Sequence, residues 1–275
     1  MKDLGRTSRF GFPAAAILAL ALAFGALAGG CKPAVVRVPV SAENIRLANA
    51  AFQEGERAFN RKDYYAGLIK YLEAGRLNPN SHFIFNKLGI AYSRLQYFKE
   101  ATTAFERAIA LDPKYAYSYN NLGSVYFATD NRKKAEKYFR KAISLNAKDA
   151  SFHINLGTLF FETGKFEKGL EEWRRGLSLD PEIMKRSEGS GLVAATTQKN
   201  NAQRNYFMAR LYAAAGDVER ALENLQLALK EGFTDLEALQ TETDFNPIRK
   251  DEKFVEFMKQ ARLLLTNEKK LGEGR

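Results

Sequence analysis

Residue types that commonly carry out chemistry are scarce in this chain of 275 residues, which contains one cysteine, Cys31, and two histidines, His82 and His153. One cysteine cannot form an internal disulfide, and two histidines far apart in the sequence do not provide the clustered donors that a metal site needs. Residues 189–191 lack the full Gly-x-Ser-x-Gly turn of a serine nucleophile, and no glycine-rich loop is followed by Lys-Ser or Lys-Thr. The sequence therefore predicts a protein that is not an enzyme, with no metal site and no cofactor.

Cys31 directly follows a segment with the features of a targeting signal. Three basic residues precede an uncharged run at residues 10–30, which ends in small residues before the cysteine. A basic region, an apolar region and a small-residue cleavage site together make up a secretory signal peptide. An uncleaved signal anchor is the alternative, because an uncharged run of this length could span a bilayer. Pro13 lies inside the run and favours the cleaved signal.

The residues before the cysteine, Leu27-Ala28-Gly29-Gly30, resemble the lipobox of bacterial lipoproteins, with Ala28 at the position where leucine is commonest. The resemblance implies cleavage after residue 30 and a thioether-linked diacylglycerol on the sulfur of Cys31. Residues 31–42 would then be a lipidated tether, and the body would lie in the periplasm or outside the cell. In the same resemblance, Lys32 favours the outer membrane if the cell has two.

A repeat of 34 residues fills the middle of the chain. Glycines recur at this spacing, at Gly55, Gly89, Gly123 and Gly157. An aromatic residue follows each glycine at a constant distance, at Tyr71, Phe105, Phe139 and Trp173. Apolar residues at three- and four-residue steps predict a pair of amphipathic helices in each unit. A single pair cannot bury its apolar face alone, so the stack of pairs must fold as one unit.

We call the residues at one position of successive repeats a column. The residue types and the spacing of these columns resemble the tetratricopeptide repeat. In the second unit the signature positions hold Phe85, Leu88, Gly89, Tyr92, Ala101, Phe105, Ala108 and Pro113. In the third unit they hold Tyr119, Leu122, Gly123, Tyr126, Ala135, Phe139 and Ala142. The resemblance implies an all-α fold, a right-handed superhelix (solenoid) of helix pairs closed by C-terminal capping helices.

The columns also divide the chain. Repeats 1 to 4 are expected in residues 43–183, an insertion loop in 184–201, a fifth repeat in 202–233, and capping helices with a tail in 234–275. Ala209 takes the glycine position of the fifth repeat, 52 residues after Gly157 instead of 34. Thr234 with Glu237 predicts a capping box at the start of the first capping helix.

The resemblance further implies that the first helix of each repeat lines a concave groove. The residues expected to face this groove are Phe83, Asn86, Lys87, Arg94, Tyr117, Asn120, Asn121 and Asn155. Side-chain amides donate and accept hydrogen bonds, so a ladder of them could hold the backbone of an extended peptide. Lys87 and Arg94 would add a preference for a carboxylate, and Phe83 and Tyr117 would offer apolar contact. Asparagine is also frequent at these positions in such repeats where no peptide binds, so this alternative stays open.

Two functions fit the sequence. The first is a non-catalytic, membrane-anchored scaffold that binds a protein or peptide partner in the cell envelope, where it could help to assemble an envelope complex. The second is a basic adaptor for nucleic acid or anionic lipid, suggested by the formal charge of +10. Basic and acidic residues alternate along residues 100–107 and 132–140, a pattern typical of solvated helix faces. The first function is favoured, and nucleic acid is not an expected partner.

Overall fold

The computed structural model describes residues 37–183 and 201–273. The segment expected to be a signal peptide, Cys31, and all but the last residue of the expected insertion lie outside the described residues. The described residues form twelve α-helices and no strand. The first eight are α1 Ala42–Asn60, α2 Tyr64–Leu77, α3 His82–Arg94, α4 Phe98–Leu111, α5 Ala116–Ala128, α6 Arg132–Leu145, α7 Ala150–Glu162 and α8 Phe166–Leu179. The last four are α9 Asn201–Ala214, α10 Val218–Lys230, α11 Leu236–Thr241 and α12 Glu252–Glu273, with a 3₁₀ turn at Thr243–Phe245 between the last two.

The helices pack in pairs: α1 with α2, α3 with α4, α5 with α6, α7 with α8, and α9 with α10. We call the first member of each pair helix A and the second helix B. Each helix B of the first four pairs also contacts the next helix A. The all-α, helix-pair solenoid that the sequence predicts is therefore confirmed.

The same turn joins helix A to helix B in all five pairs. One residue in each turn has a left-handed backbone, at Lys62, Gln96, Asp130, Gly164 and Gly216, with φ between 60° and 74°. The next residue donates its N–H to the carbonyl five residues earlier, as Tyr97 does to Tyr92 at 2.9 Å. This is the Schellman arrangement that ends a helix. The turn thus marks the repeat period in the backbone itself.

The glycine and aromatic columns face each other inside each repeat. A Cβ placed on Gly123 would lie 2.7 Å from Cδ1 of Phe139, and one on Gly89 would lie 2.5 Å from Cε1 of Phe105. Both rings are almost fully buried. Only glycine leaves room for the ring, so these glycines are required by packing and not by backbone conformation.

Repeat 5 has different residues at the same two positions. Ala209 occupies the glycine position, and Leu225 occupies the aromatic position. Both are buried, with exposed fractions of 0% and 1%. The side chain of leucine is smaller than an aromatic ring, which makes space for the methyl group of Ala209.

The C-terminal helices share one hydrophobic core. A single cluster of buried side chains extends from α7 to α12 and includes Trp173, Phe207, Leu225, Phe245 and Phe254. Repeats 1 to 4 otherwise divide their buried side chains among smaller clusters. The capping helices therefore complete the core of repeat 5 and part of repeat 4.

The N-cap of α11 differs from the sequence prediction. Asp235, and not Thr234, is the N-cap, and its side chain accepts a hydrogen bond from the N–H of Ala238. A carboxylate is a strong acceptor at this position, since it also interacts favourably with the positive end of the helix dipole. The expected capping box is therefore wrong by one residue.

The chain enters the stack at its edge, beside the C-terminal ends of α2 and α4. The N–H of Val38 donates to Oδ1 of Asn80 at 3.2 Å, and Nδ2 of Asn80 donates to the carbonyl of Val38 at 2.7 Å. Nη2 of Arg37 donates to the carbonyl of Leu111 at 3.2 Å. These bonds hold residues 37–38 against the first two repeats.

Candidate binding groove

Asparagines connect the A helices of neighbouring repeats. Oδ1 of Asn86 on α3 accepts from Nδ2 of Asn121 on α5 at 3.1 Å and from Oγ of Ser118 at 3.2 Å. One repeat later, Oδ1 of Asn120 on α5 accepts from Nδ2 of Asn155 on α7 at 2.9 Å. The amides thus form junctions between repeats.

This arrangement corrects the expected placement of two groove residues. Asn86 and Asn120 are buried, with exposed fractions of 4% and 7%, and their carbonyl oxygens are engaged by the next repeat. They lie one residue before the column of Lys87, Asn121 and Asn155, and one residue turns a helix by about 100°. Asn121 and Asn155 remain half-buried. Among the described residues, the carbonyl oxygens of these two amides accept no hydrogen bond.

Lys87 also has a partner within the fold. Its Nζ lies 2.7 Å from Oε2 of Glu56 on α1, and Oε1 of Glu56 accepts a short hydrogen bond from the Tyr71 hydroxyl. Burial, followed by the interaction with Glu56, raises the pKa of Tyr71. Because Glu56 balances the charge of Lys87, the expected preference for a carboxylate depends on Arg94. Arg94 is exposed and makes no ion pair among the described residues.

Aromatic side chains follow one edge of the A helices. Phe83 and Tyr117 are exposed to 53% and 42%. Tyr115 lies between them, with ring centroids 5.2 Å from Phe83 and 5.5 Å from Tyr117. A hydrogen bond to Asp149 is the main cause that raises the pKa of Tyr117 to about 12. The sequence predicted Phe83 and Tyr117 but missed Tyr115, which lies in the connection before α5 and outside the helix columns.

His153 has a structural role. Its ring is buried, with Nδ1 2.7 Å from Oε2 of Glu172 and Nε2 3.1 Å from the carbonyl of Ala147. These contacts tie α7 to α8 and to the connection before α7. Among the described residues, no group of three or more His, Cys, Asp or Glu side chains is placed to hold a metal ion.

A second concave site, which the sequence did not indicate, lies where repeat 5 meets the cap. It is an open cleft of about 440 Å³, lined in part by Tyr206, Arg210 and Phe233. Arg210 is buried, and its guanidinium lies 2.8 Å from both Glu167 and Asp244. This network connects α8, α9 and the 3₁₀ turn, so Arg210 holds the C-terminal part together. The equivalent position holds no arginine in repeats 1 to 4, so the repeat pattern of the sequence did not predict a role for Arg210.

Helix α6 has a more uniform charge than the sequence suggested. Its exposed side chains include Lys133, Lys134, Lys137, Arg140 and Lys141, and Glu136 is the only acidic residue of the helix. The expected alternation of charges is therefore wrong for this segment. Several of these cations lie over aromatic rings, such as Lys134 at 4.8 Å from the ring centroid of Tyr126. Cation–π contacts give them a structural role.

Comparison with protein-family models identifies the repeats. Residues 116–149, which comprise α5 and α6, match a tetratricopeptide repeat model. Residues 97–130 match a second TPR repeat model that overlaps it. The fold is a tetratricopeptide-repeat solenoid. Such repeats typically serve protein–protein interaction, and proteins built from them are generally non-catalytic scaffolds.

Solved structures with a similar course of the chain include TPR proteins. The thermophilic TPR protein TTC0263 of Thermus thermophilus is 17% identical, with a TM-score of 0.48, covering 78% of this chain and 99% of that one. MamA of Desulfovibrio magneticus RS-1 is 20% identical, with a TM-score of 0.47, covering 67% and 94%. The first TPR domain of Spaghetti (RPAP3), bound to the HSP90 peptide SRMEEVD, is 20% identical, with a TM-score of 0.42, covering 44% and 95%. The search of curated proteins finds no match.

No helix within the described ranges is long and apolar enough to cross a membrane. That finding concerns only residues 37–183 and 201–273.

Proposed function

We propose that this chain is a non-catalytic scaffold, attached to a membrane of the cell envelope through a lipid on Cys31, that holds a protein or peptide partner against its A helices. The observation that supports partner binding best is the combination of side chains on α3, α5 and α7. Exposed aromatic rings lie on α3 at Phe83 and on α5 at Tyr117. The amides of Asn121 and Asn155 lie on α5 and α7, and their carbonyl oxygens accept no hydrogen bond from the part of the chain that the structure describes. An extended peptide can use both kinds of contact.

The partner chemistry follows from the charges. Lys87 is neutralised by Glu56, so Arg94 is the cation of this surface that lacks an ion-pair partner in the described residues. One exposed arginine favours a peptide with an acidic side chain or a free carboxylate near α3, without the several cations that a carboxylate clamp needs. Aromatic contact would contribute most of the affinity, because buried aromatic anchors dominate many interfaces.

Site-specific photo-cross-linking in living cells tests the groove. A benzophenone amino acid in place of Tyr117 is expected to capture the partner, whereas the same residue in place of Lys137 on α6 is the matched control on a B helix. Arg94→Glu, combined with the Tyr117 probe, should lower the yield of the captured product. Equal products from both probe positions, or none from Tyr117, would contradict binding along the A helices.

Metabolic labelling with a fatty-acid analogue tests the anchor. The full chain is expected to be labelled and shortened, and Cys31→Ser is expected to abolish the label and leave the precursor uncleaved. Ala34→Ser, which leaves the lipobox-like residues intact, is the matched control and should behave as the natural chain. Normal acylation of Cys31→Ser would exclude this residue as the lipid attachment site.

A second candidate function is the basic adaptor, which the exposed cations of α6 favour. It predicts binding to anionic vesicles or nucleic acid that weakens steeply with added salt. Replacing Lys137 and Arg140 by Glu should abolish such binding. Binding that is absent at low salt, or unchanged in this double variant, would eliminate the adaptor.

A further inference from the structure

Large apolar side chains form an exposed stripe on α2. Tyr65, Ile69 and Leu72 are exposed to 59%, 63% and 43%. Their spacing of four and three residues places them on one face of the helix. The hydroxyl of Tyr65 lies 3.4 Å from the hydroxyl of Tyr97, itself exposed to 43%, so the polar tips of two tyrosines meet at one end of the stripe. We call Tyr65, Ile69 and Leu72 the α2 stripe.

The α2 stripe belongs to repeat 1 alone. The same three repeat positions are Lys133, Lys137 and Arg140 in α6, and Glu219, Glu223 and Gln226 in α10. The corresponding residues of α4 and α8 are also polar. The fold therefore does not require an exposed apolar face on helix B. Its presence in repeat 1 indicates that this face binds another molecule or a membrane.

The chain that leads into the fold limits what this face can meet. Cys31 precedes Arg37 by six residues, which span at most about 20 Å when fully extended. Residues 37 and 38 are held by hydrogen bonds to Asn80 and to the carbonyl of Leu111. Asn80 follows the end of α2 at Leu77 by three residues. A lipid on Cys31 would thus hold the bilayer surface within roughly 20 Å of Arg37, which lies beside the C-terminal ends of α2 and α4.

The α2 stripe begins close to the C-terminal end of α2. Leu72 is five residues from the end of α2, and Tyr65 is twelve residues from it. At a rise of 1.5 Å per residue, these positions are about 8 and 18 Å from Leu77 along the helix axis. The stripe therefore extends along the helix from the end that the tether enters beside.

We propose that the α2 stripe rests on the membrane to which Cys31 is attached, and so fixes the orientation of the solenoid on the bilayer. This inference rests on the lipid anchor of the proposed function. Ile69 and Leu72 would enter the boundary between headgroups and acyl chains, as apolar faces of interfacial helices do. Tyr65 and Tyr97 have an apolar ring and a polar tip, the combination that is enriched at membrane interfaces. The A helices then remain available for the partner.

The lone cysteine makes a direct test possible. Once the sulfur of Cys31 is acylated, Ile69→Cys introduces the only free thiol of the chain, and this thiol can carry a polarity-sensitive nitrobenzoxadiazole dye. Glu223→Cys, at the same repeat position on α10, is the matched control. The full acylated chain is reconstituted in vesicles of phosphatidylethanolamine and phosphatidylglycerol at 3:1, with and without a lipid bearing a doxyl quencher. Mass spectrometry of the N-terminal peptide establishes acylation in each sample.

The expected result is a blue-shifted dye at position 69, quenched several-fold more by the doxyl lipid than the dye at position 223. An acylated, vesicle-bound chain whose dye at position 69 is no more quenched than the control overturns this inference and leaves the anchor standing. A chain that is not acylated overturns both. A blue shift at position 69 that grows with protein concentration in the absence of vesicles assigns the α2 stripe to a second copy, and overturns the membrane contact as well.

Discussion

Repeat 3 and repeat 5 have the same turn between their helices but close the helix pair with different side chains. In repeat 3, Gly123 lies under the ring of Phe139, and in repeat 5 the same two positions hold Ala209 and Leu225, both of which are buried. The paired change keeps the total volume similar, so the repeat constrains the sum of two side chains and not each one separately. This explains why repeat 5 keeps the repeat pattern although alanine replaces the glycine.

The two repeats also differ in how they join their neighbours. The A helix of repeat 3 is bonded on both sides by amides, through Asn121 to Asn86 and through Asn120 to Asn155. Repeat 5 is instead held by a core that it shares with the cap and by the buried ion pairs of Arg210. A destabilising substitution in repeat 3 should therefore increase local unfolding mainly in that repeat. A destabilising substitution in the core around repeat 5 should increase local unfolding throughout the C-terminal helices.

The largest expected effect is in the shared core. Phe254→Ala removes a buried ring of α12, with an expected loss of about 3–5 kcal/mol in the free energy of unfolding. Amide hydrogen exchange should accelerate throughout α9 to α12 but not in α3 to α6. Val255→Ala, at the adjacent exposed position, is the control and should change stability by less than about 0.5 kcal/mol. Equal acceleration in α3 to α6 would mean that the whole solenoid unfolds as one unit.

The paired volumes of repeats 3 and 5 provide the next test. Gly123→Ala places a methyl group against Phe139 and should cost about 1–3 kcal/mol through overpacking. Phe139→Leu makes the repeat 5 combination in repeat 3, so the double variant should be more stable than the sum of the two single losses predicts. Urea unfolding of the four proteins gives this coupling energy. Additive losses would show that the two positions do not compensate each other.

The period of the sequence predicted the stack because packing acts along the whole column. In repeats 1 to 4 each glycine of the repeat packs against a ring in its own repeat, and the left-handed turn residues of these repeats recur every 34 residues, so many weak signals agree. The side chains at single positions were harder to place. Asn86 and Lys87 are adjacent in sequence, yet Asn86 is buried at a junction with α5 and Lys87 pairs with Glu56 on α1. The difference arises because the neighbouring repeats determine which side of helix α3 is buried. Arg210 and the cleft beside it depend on the cap, which has no period.

The amide junctions on either side of repeat 3 are not equivalent. Oδ1 of Asn86 accepts from both Ser118 and Asn121, so Asn121→Ala leaves one donor and should cost less than about 1 kcal/mol. Oδ1 of the buried Asn120 accepts from Asn155, so Asn155→Ala leaves it unsatisfied and should cost about 1–3 kcal/mol. Thermal unfolding of the two variants compares the junctions directly. A larger loss for Asn121→Ala would reverse this ranking of the junctions.

The smallest effect is expected in the turn that both kinds of repeat share. Gln96 has a φ of 64°, a conformation that costs a residue with a Cβ about 1–2 kcal/mol, while Gly164 and Gly216 adopt it without this cost. Gln96→Gly should stabilise the protein by up to about 1 kcal/mol, because the greater freedom of glycine in the unfolded chain offsets part of the gain. Gly164→Ala should have the opposite effect of similar size, since a Cβ there meets no atom within 4 Å and the strain comes from the backbone alone. Melting temperatures that move in the same direction for both variants would show that side-chain contacts, and not the left-handed backbone, control the stability of this turn.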